Sequence, residues 1–248
     1  MSALQTNGLI KRYGALLVTD QVSIDVRPGE LHAVIGPNGA GKTTLINQLS
    51  GELASDAGQI HFEGREIGGL PIHRRAREGL LRSYQITSIF EEFTVLENAT
   101  LAAMATRSSV WRFWRSLLSD RAAVAVAREA ISSAGLQAQT DVPAGELAYG
   151  QRRQLELAMA LAAKPKFLLL DEPMAGMSVQ ESAAVIELLR DLKRRYAILL
   201  VEHDMDAVFS LADRITVLVY GRVMFTGTAD EVRSHPEVRA VYLGEEDF

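Results

Sequence analysis

The sequence predicts an α/β protein built around a parallel β-sheet. In the C-terminal half, apolar runs of strand length occur at residues 167–170, 198–201 and 215–219. A helical segment at residues 179–195 separates the first two runs. This strand–helix–strand order is typical of a parallel sheet whose strands are joined by crossover connections.

The N-terminal part contains the same combination of strand, glycine-rich loop and helix. Residues 22–26 alternate between apolar and polar types, as a half-buried strand does. Glycine, proline and charged residues mark the connections between the elements. The predicted elements are a strand at 22–26, a turn at 27–30, a buried strand at 31–35, a helix at 43–49 that ends at Gly51, and a short strand at 59–62.

The middle of the chain, residues 74–163, is predicted to be mainly helical. Residues 122–134 are rich in alanine, and residues 151–163 form a second helical segment that ends at Lys164 and Pro165. We therefore predict one domain, 1–248, in which an α/β core of residues 1–75 and 164–248 is interrupted by a helical subdomain at 76–163.

The composition narrows the possible classes of protein. The chain has 248 residues, 48% of them apolar, and a formal net charge of −5, so its overall charge does not favour a nucleic-acid partner. It has no cysteine, which excludes disulfides and cysteine-ligated metals. We find no secretory signal pattern and no uncharged apolar stretch of 18 residues, so we expect any link to a membrane to run through partner chains.

A glycine-rich loop lies between the predicted strand at 31–35 and the helix that follows it. It matches the P-loop pattern G-x-x-x-x-G-K-[ST], in which backbone N–H groups and the N-terminus of a helix bind phosphate. Lysine supplies a positive charge for the β- and γ-phosphates, and the threonine hydroxyl binds Mg²⁺. The expected ATP-binding residues here are Gly36, Pro37, Asn38, Gly39, Ala40, Gly41, Lys42, Thr43 and Thr44.

Two carboxylates, Asp171 and Glu172, follow the apolar strand at 167–170. Ligands in open α/β sheets bind at the carboxyl ends of the strands. Adjacent acids at a strand end are often only a solvated turn, but the P-loop upstream favours a site. We expect Asp171 to hold Mg²⁺, with Thr43, and Glu172 to polarise the attacking water.

Over nearly its whole length the chain resembles the ATP-binding-cassette (ABC) ATPases. Leu147, Ala148, Tyr149, Gly150 and Gln151, hereafter the signature segment, resemble that family's L-S-G-G-Q sequence and end 20 residues before Asp171. The resemblance implies that this segment grips the γ-phosphate of ATP bound to a second ATPase subunit. It also implies a P-loop NTPase core with a parallel sheet, an antiparallel β subdomain and an α-helical subdomain.

The same resemblance assigns roles to four further residues. Gln85 matches the family's Q-loop residue, which senses Mg²⁺ and the attacking water, and His203 matches the switch histidine at the γ-phosphate. Tyr13 matches the aromatic residue that stacks on adenine, although a tyrosine there is also an ordinary strand residue. Residues 174–178 occupy the family's D-loop, where Ser178 replaces aspartate and leaves the cross-subunit contact in doubt.

The chain is similar in particular to ATPases of branched-chain amino acid importers. This similarity rests on Ala148 and Tyr149, Ala175 and Gly176, residues 202–204, and the ending from Tyr220 to Glu245. The resemblance implies permease subunits, a second ATPase subunit, identical or related, and a separate solute-binding protein, with this chain peripheral to the cytoplasmic face of the plasma membrane. The alternatives are an ATPase of lipopolysaccharide export and a soluble ABC ATPase without transport.

A basic stretch with aromatic residues, 107–118, includes Trp111, Phe113 and Trp114. It suits a helix that contacts a membrane subunit or lipid headgroups, and it suits equally well a helix that packs on its own domain.

Overall fold

Two β-sheets pack against the same helix in the computed structural model, which describes residues 2–83, 89–105 and 117–243. The larger sheet has the strand order β11-β10-β4-β9-β8-β7. Its pairings are parallel except for β11, which pairs antiparallel with β10 at one edge. Its strands are β4 (Leu31–Ile35), β7 (Leu80–Ser83), β8 (Phe167–Asp171), β9 (Ala197–Val201), β10 (Arg214–Val219) and β11 (Arg222–Gly227).

The smaller sheet is antiparallel, as the family resemblance implied. Its order is β2-β1-β5-β6, and β3 pairs with β1 beside this path. Its strands are β1 (Leu4–Tyr13), β2 (Leu16–Val22), β3 (Asp25–Val26), β5 (Ala57–Phe62) and β6 (Arg65–Glu66).

Helices cover the larger sheet. Three helices from the middle of the chain also pack against one another. Buried residues of α3, α4 and α5 pack together in one apolar cluster, as expected for a helical subdomain. The helices are α1 (Lys42–Ser50), α2 (Ile72–Glu78), α3 (Val95–Ala105), α4 (Arg121–Ser133), α5 (Tyr149–Ala162), α6 (Val179–Leu192), α7 (Met205–Leu211), α8 (Ala229–Ser234) and α9 (Pro236–Val238).

The apolar core lies on both faces of the larger sheet. On one face, Leu45, Ile46 and Leu49 of α1 pack between strands of both sheets. On the other face, buried residues of α5, α6 and α7 pack against β4, β8 and β9. The strands β4, β8 and β9 are buried along their entire length, which explains why they appear in the sequence as continuous apolar runs.

The structure confirms the predicted parallel α/β core and refines several elements. The segment predicted as one strand at 22–26 contains the last residue of β2 and the two residues of β3. Between them the Thr6 hydroxyl donates to Val22 O at 3.2 Å and accepts from Ile24 N at 2.9 Å. The strands β1, β6, β7 and β11 and most of β2 were not predicted. The strand β7 pairs with β8, so one strand of the parallel sheet lies within residues 76–163, which were predicted to form the helical subdomain. The boundary between core and subdomain at residues 75 and 76 stays a prediction.

Within the described ranges, no helix combines the length and the apolar character needed to cross a membrane.

Candidate nucleotide site

The P-loop joins β4 to α1, and two of its glycines are required by close packing. A β-carbon at Gly36 would lie 2.1 Å from Leu218 O of the neighbouring strand β10. Gly41 has φ of 99°, and a β-carbon there would lie 2.5 Å from Val18 O. Only glycine fits these positions without displacing backbone. The loop is therefore wedged between the two sheets, with the N-terminus of α1 directly behind it.

Lys42 lies over this loop. Its Nζ donates to Gly36 O at 2.6 Å and to Pro37 O at 3.1 Å. Burial lowers the pKa of Lys42, and the nearby carboxylates of Glu172 and Asp171 oppose that shift. The ammonium group thus lies on the P-loop, within electrostatic range of both carboxylates predicted to serve the site.

Asp171 ends β8 and is almost fully buried. Its Oδ2 lies 2.8 Å from Arg82 Nη2, and Arg82 Nη1 also donates to Asn47 Oδ1 of α1 at 2.6 Å. Burial raises the pKa of Asp171, and the Arg82 guanidinium lowers it. Arg82 thus fixes the direction of Asp171 and ties the end of β8 to the P-loop helix. No role for Arg82 was predicted; the available signal is a cation directly after the two leucines of β7.

Glu172 lies just beyond β8 in a backbone conformation that is rare for its type. Its φ is 47°, in the left-handed region, and its N–H donates to Val201 O of β9 at 2.8 Å. Residues are held in this region when their surroundings over-determine them, often at functional sites. Its Oε1 lies 3.9 Å from Nδ1 of His203, whose side chain is 61% exposed. The structure therefore brings Glu172 and His203 together, and their catalytic roles stay predictions.

Glu202 fixes the backbone on both sides of this pair. Its side chain is 1% exposed, and it accepts hydrogen bonds from the N–H groups of Met174 and His203, both at 3.0 Å. Burial raises the pKa of Glu202, and these hydrogen bonds lower it. No separate role for Glu202 was predicted from the sequence. In the structure it links the backbone at Met174 to the backbone at His203.

The signature segment forms the start of α5. The helix begins at Tyr149, two residues earlier than predicted, so Tyr149, Gly150 and Gln151 form its first turn. The Gln151 side chain accepts a hydrogen bond from Ala148 N at 3.1 Å. Leu147 is buried in the apolar cluster of the helical subdomain. This packing orients the first turn of α5.

Two further contacts attach the signature segment to the D-loop and the helix after it. Tyr149 Oη donates to Ala175 O at 3.1 Å, and Gly150 N donates to Glu181 Oε1 at 3.1 Å. Ser178 caps α6, because its Oγ accepts a hydrogen bond from Glu181 N at 3.4 Å, and its N–H and hydroxyl donate to the Glu181 carboxylate. The role of Glu181 was missed, although Ser178 and Glu181 form the S-x-x-E pattern of a capping box.

Tyr13 ends β1, and the residue is 54% exposed. The ring is open to a stacking partner, with Lys11 Nζ 5.9 Å from its centroid. Four residues that sequence analysis singled out lie outside the described residues: Gln85, Trp111, Phe113 and Trp114. Their predicted roles stay predictions.

Comparison with protein families gives two matches. Residues 19–175 match the family model described as ABC transporter. Residues 222–247 match the model described as branched-chain amino acid ATP-binding cassette transporter. The first match covers the P-loop, the signature segment and the strand that ends at Asp171.

Curated relatives align with the chain from end to end. It is 38% identical to the high-affinity branched-chain amino acid transport ATP-binding protein LivG of Salmonella typhimurium, over 98% of each chain. It is 37% identical to the corresponding protein BraF of Pseudomonas aeruginosa, again over 98% of each. The lipopolysaccharide export ATP-binding protein LptB of Acidithiobacillus ferridurans is 35% identical, over 98% of this chain and 97% of that protein.

Solved structures agree with these relatives. A nucleotide-free ATP-binding cassette from an ABC transporter superposes with a TM-score of 0.87 at 30% identity, covering 99% of this chain and all of that one. An ATP-binding cassette in its ADP conformation gives 0.86, also at 30% identity and with the same coverage.

Proposed function

The chain belongs to the ABC transporter family, and we propose that it is the ATP-hydrolysing subunit of a membrane importer for branched-chain amino acids or related small polar solutes. The branched-chain match at residues 222–247 carries this choice of solute. Identities of 37–38% to LivG and BraF, against 35% to LptB, favour import over lipopolysaccharide export. The intact P-loop and the Glu172–His203 pair support an active enzyme over a non-hydrolysing binding module.

ATP would bind with its phosphates on the P-loop. The amides around Gly39 and Gly41 and the N-terminus of α1 would surround the β-phosphate. Lys42 Nζ would exchange its two loop carbonyls for the β- and γ-phosphate oxygens. Tyr13 would stack on the adenine, because its exposed ring offers the base an apolar face.

Magnesium is expected to arrive with the nucleotide, and the residues present fit it. The Thr43 hydroxyl and the Asp171 carboxylate are oxygen donors of the kind that Mg²⁺ prefers, and Gln85 is the third predicted ligand. Asp171 is buried, and Arg82 holds one of its carboxylate oxygens in place. Bound Mg²⁺ would neutralise charge on the β- and γ-phosphates.

Hydrolysis would use the Glu172–His203 pair at the ends of β8 and β9. Glu172 would accept a proton from the attacking water. His203 would donate a hydrogen bond to the γ-phosphate. Lys42, the P-loop amides and His203 would stabilise the charge that develops on the transferred phosphoryl group.

Transport would couple to the association of two ATPase subunits. Each ATP would lie between the P-loop of one subunit and the signature segment of the other, whose helix N-terminus attracts anions. ATP would stabilise the closed pair and ADP would not, so hydrolysis would reopen it. We propose two permease subunits, a second ATPase subunit, identical or related, and a separate solute-binding protein as partners, at the cytoplasmic face of the plasma membrane. No nucleic acid is expected.

Purification of the native membrane complex through a tag on this chain tests the proposal. We expect two multi-span permeases and a second ATPase subunit to copurify. We also expect leucine-loaded binding protein to stimulate hydrolysis that is lost in Glu172→Gln. Recovery of the chain alone or with ribosomes would contradict the transporter assignment. Stimulation only by lipopolysaccharide would favour the export alternative.

A further inference from the structure

A carboxylate of the same chain contacts the N-terminus of the signature helix. Glu181 Oε1 accepts a hydrogen bond from Gly150 N in the first turn of α5, at 3.1 Å. The carboxylate lies directly against this glycine, since a β-carbon there would be 2.5 Å from Glu181 Oε1 and 2.9 Å from its Cδ and Cγ. A second anion therefore has no room at this N–H while Glu181 stays in place.

We propose that Glu181 is an internal stand-in for the γ-phosphate, which ATP on the partner subunit must displace when the two subunits close. This inference rests on the proposed function, in which the first turn of α5 binds that phosphate. The two groups compete for the same donor because both are anions that a helix N-terminus stabilises. They also repel each other when they lie close together.

The surroundings of Glu181 allow it to leave Gly150 without losing all its partners. Its other oxygen, Oε2, accepts from Ser178 N at 2.9 Å and from Ser178 Oγ at 2.7 Å. These contacts cap α6 and do not involve α5. Displacement from Gly150 therefore breaks one hydrogen bond and leaves the helix cap intact.

Competition of this kind affects ATP and ADP differently. The fraction of subunits whose signature helix is free of Glu181 limits the apparent affinity for the γ-phosphate. ADP has no γ-phosphate and binds the P-loop of its own subunit. Removing the charge of Glu181 would thus favour ATP-driven closure and leave ADP binding unchanged.

The chain contains a matched control for this residue. Glu231 occupies the same position in the capping box of α8, where its Oε2 accepts from Thr228 N at 2.7 Å and from Thr228 Oγ1 at 3.1 Å. Among its described contacts none reaches the signature segment. Glutamine also completes a capping box, so Glu181→Gln and Glu231→Gln both preserve their helix starts.

The test uses the membrane complex purified through this chain and measures KM for ATP, kcat and the affinity for ADP. We expect Glu181→Gln to lower KM for ATP about fivefold, because a charged hydrogen bond is roughly twice as strong as a neutral one. We expect kcat to change less than twofold, ADP affinity to stay constant, and Glu231→Gln to match the wild type throughout.

Other outcomes would overturn the inference. An unchanged or higher KM for ATP in Glu181→Gln would show that the carboxylate does not compete. An equal fall in Glu231→Gln, or a parallel change in ADP affinity, would show a general effect of capping. A wild-type complex without ATP hydrolysis would overturn the proposed function and this inference together. Normal ATP hydrolysis by the wild-type complex, together with an unchanged KM for ATP in Glu181→Gln, would overturn this inference alone.

Discussion

Glu172 Oε1 and His203 Nδ1 lie 3.9 Å apart where two neighbouring parallel strands, β8 and β9, end. Glu172→Gln keeps the shape of the side chain but cannot accept a proton from water. We expect kcat to fall by a factor on the order of 10²–10⁴, with ATP binding retained. His203→Ala should also lose hydrolysis, and the exposed His73→Ala should not. ATPase rates and nucleotide binding measured together check this, and appreciable turnover in Glu172→Gln would contradict it.

The backbone of Glu172 gives a second prediction that concerns stability alone. At φ of 47°, a side chain costs about 1–2 kcal/mol relative to glycine. We therefore expect Glu172→Gly to unfold with a free energy about 1 kcal/mol higher than Glu172→Ala, the reverse of the usual order. Both variants lack the carboxylate, so the difference isolates the backbone. Denaturant unfolding measures it, and an alanine variant as stable as the glycine one would argue against strain.

The packing of the P-loop against β10 makes Gly36 intolerant of even one methyl group. In Gly36→Ala the new β-carbon would meet Leu218 O at 2.1 Å, and backbone has to move. We expect the free energy of unfolding to fall by about 3 kcal/mol and ATP binding to weaken. Gly69→Ala is the control, since a β-carbon at that position would meet nothing within 4 Å. Equal stability of the two variants by urea unfolding would contradict this packing.

Glu30 links stability to acid pH. Burial alone would raise its pKa, but its contacts with His32, Arg27 N and Arg214 outweigh burial and lower the pKa from 4.5 to about 2. Because the folded pKa lies below the unfolded one, this stability is present above about pH 4.5 and is lost as the pH falls towards 2. It amounts to the order of 2–3 kcal/mol.

The corresponding variant is Glu30→Gln. We expect it to be less stable than the wild type at pH 7 and to lose less stability between pH 4.5 and pH 2.5. Urea unfolding at several pH values measures this. The exposed Glu66→Gln should behave like the wild type. A Glu30→Gln protein with the same acid dependence as the wild type would show that other carboxylates carry it.

The site residues that could be predicted are those that belong to a short, continuous sequence pattern. The P-loop pattern and the carboxylates after β8 are local, and their spacing follows from a strand that enters a turn. Tyr149 and Gly150 could also be located, although the start of α5 at Tyr149 could not. Helix ends depend on which backbone groups find partners, and here the partners are Gln151 and Glu181.

The contacts that escaped prediction join distant parts of the chain. Arg82 and Asp171 are 89 positions apart, and Gly150 and Glu181 are 31 apart. The periodicity and spacing of residues in the sequence do not predict such pairs. The pairs depend on the order of strands in the sheet and on the packing of α5 against α6. The strand β7 was missed for a related reason: it is four residues long and carries a cation.

The hydrogen bond from Tyr149 Oη to Ala175 O connects the signature segment to the segment that follows Glu172. Ala175 N donates to Glu172 O at 3.1 Å, so Tyr149, proposed to face the partner's nucleotide, is two hydrogen bonds from Glu172, the proposed general base. In a closed pair each subunit would span both nucleotides in this way. The two ATP sites would then be coupled. The rate of hydrolysis should therefore depend on ATP concentration more steeply than it would for a single independent site.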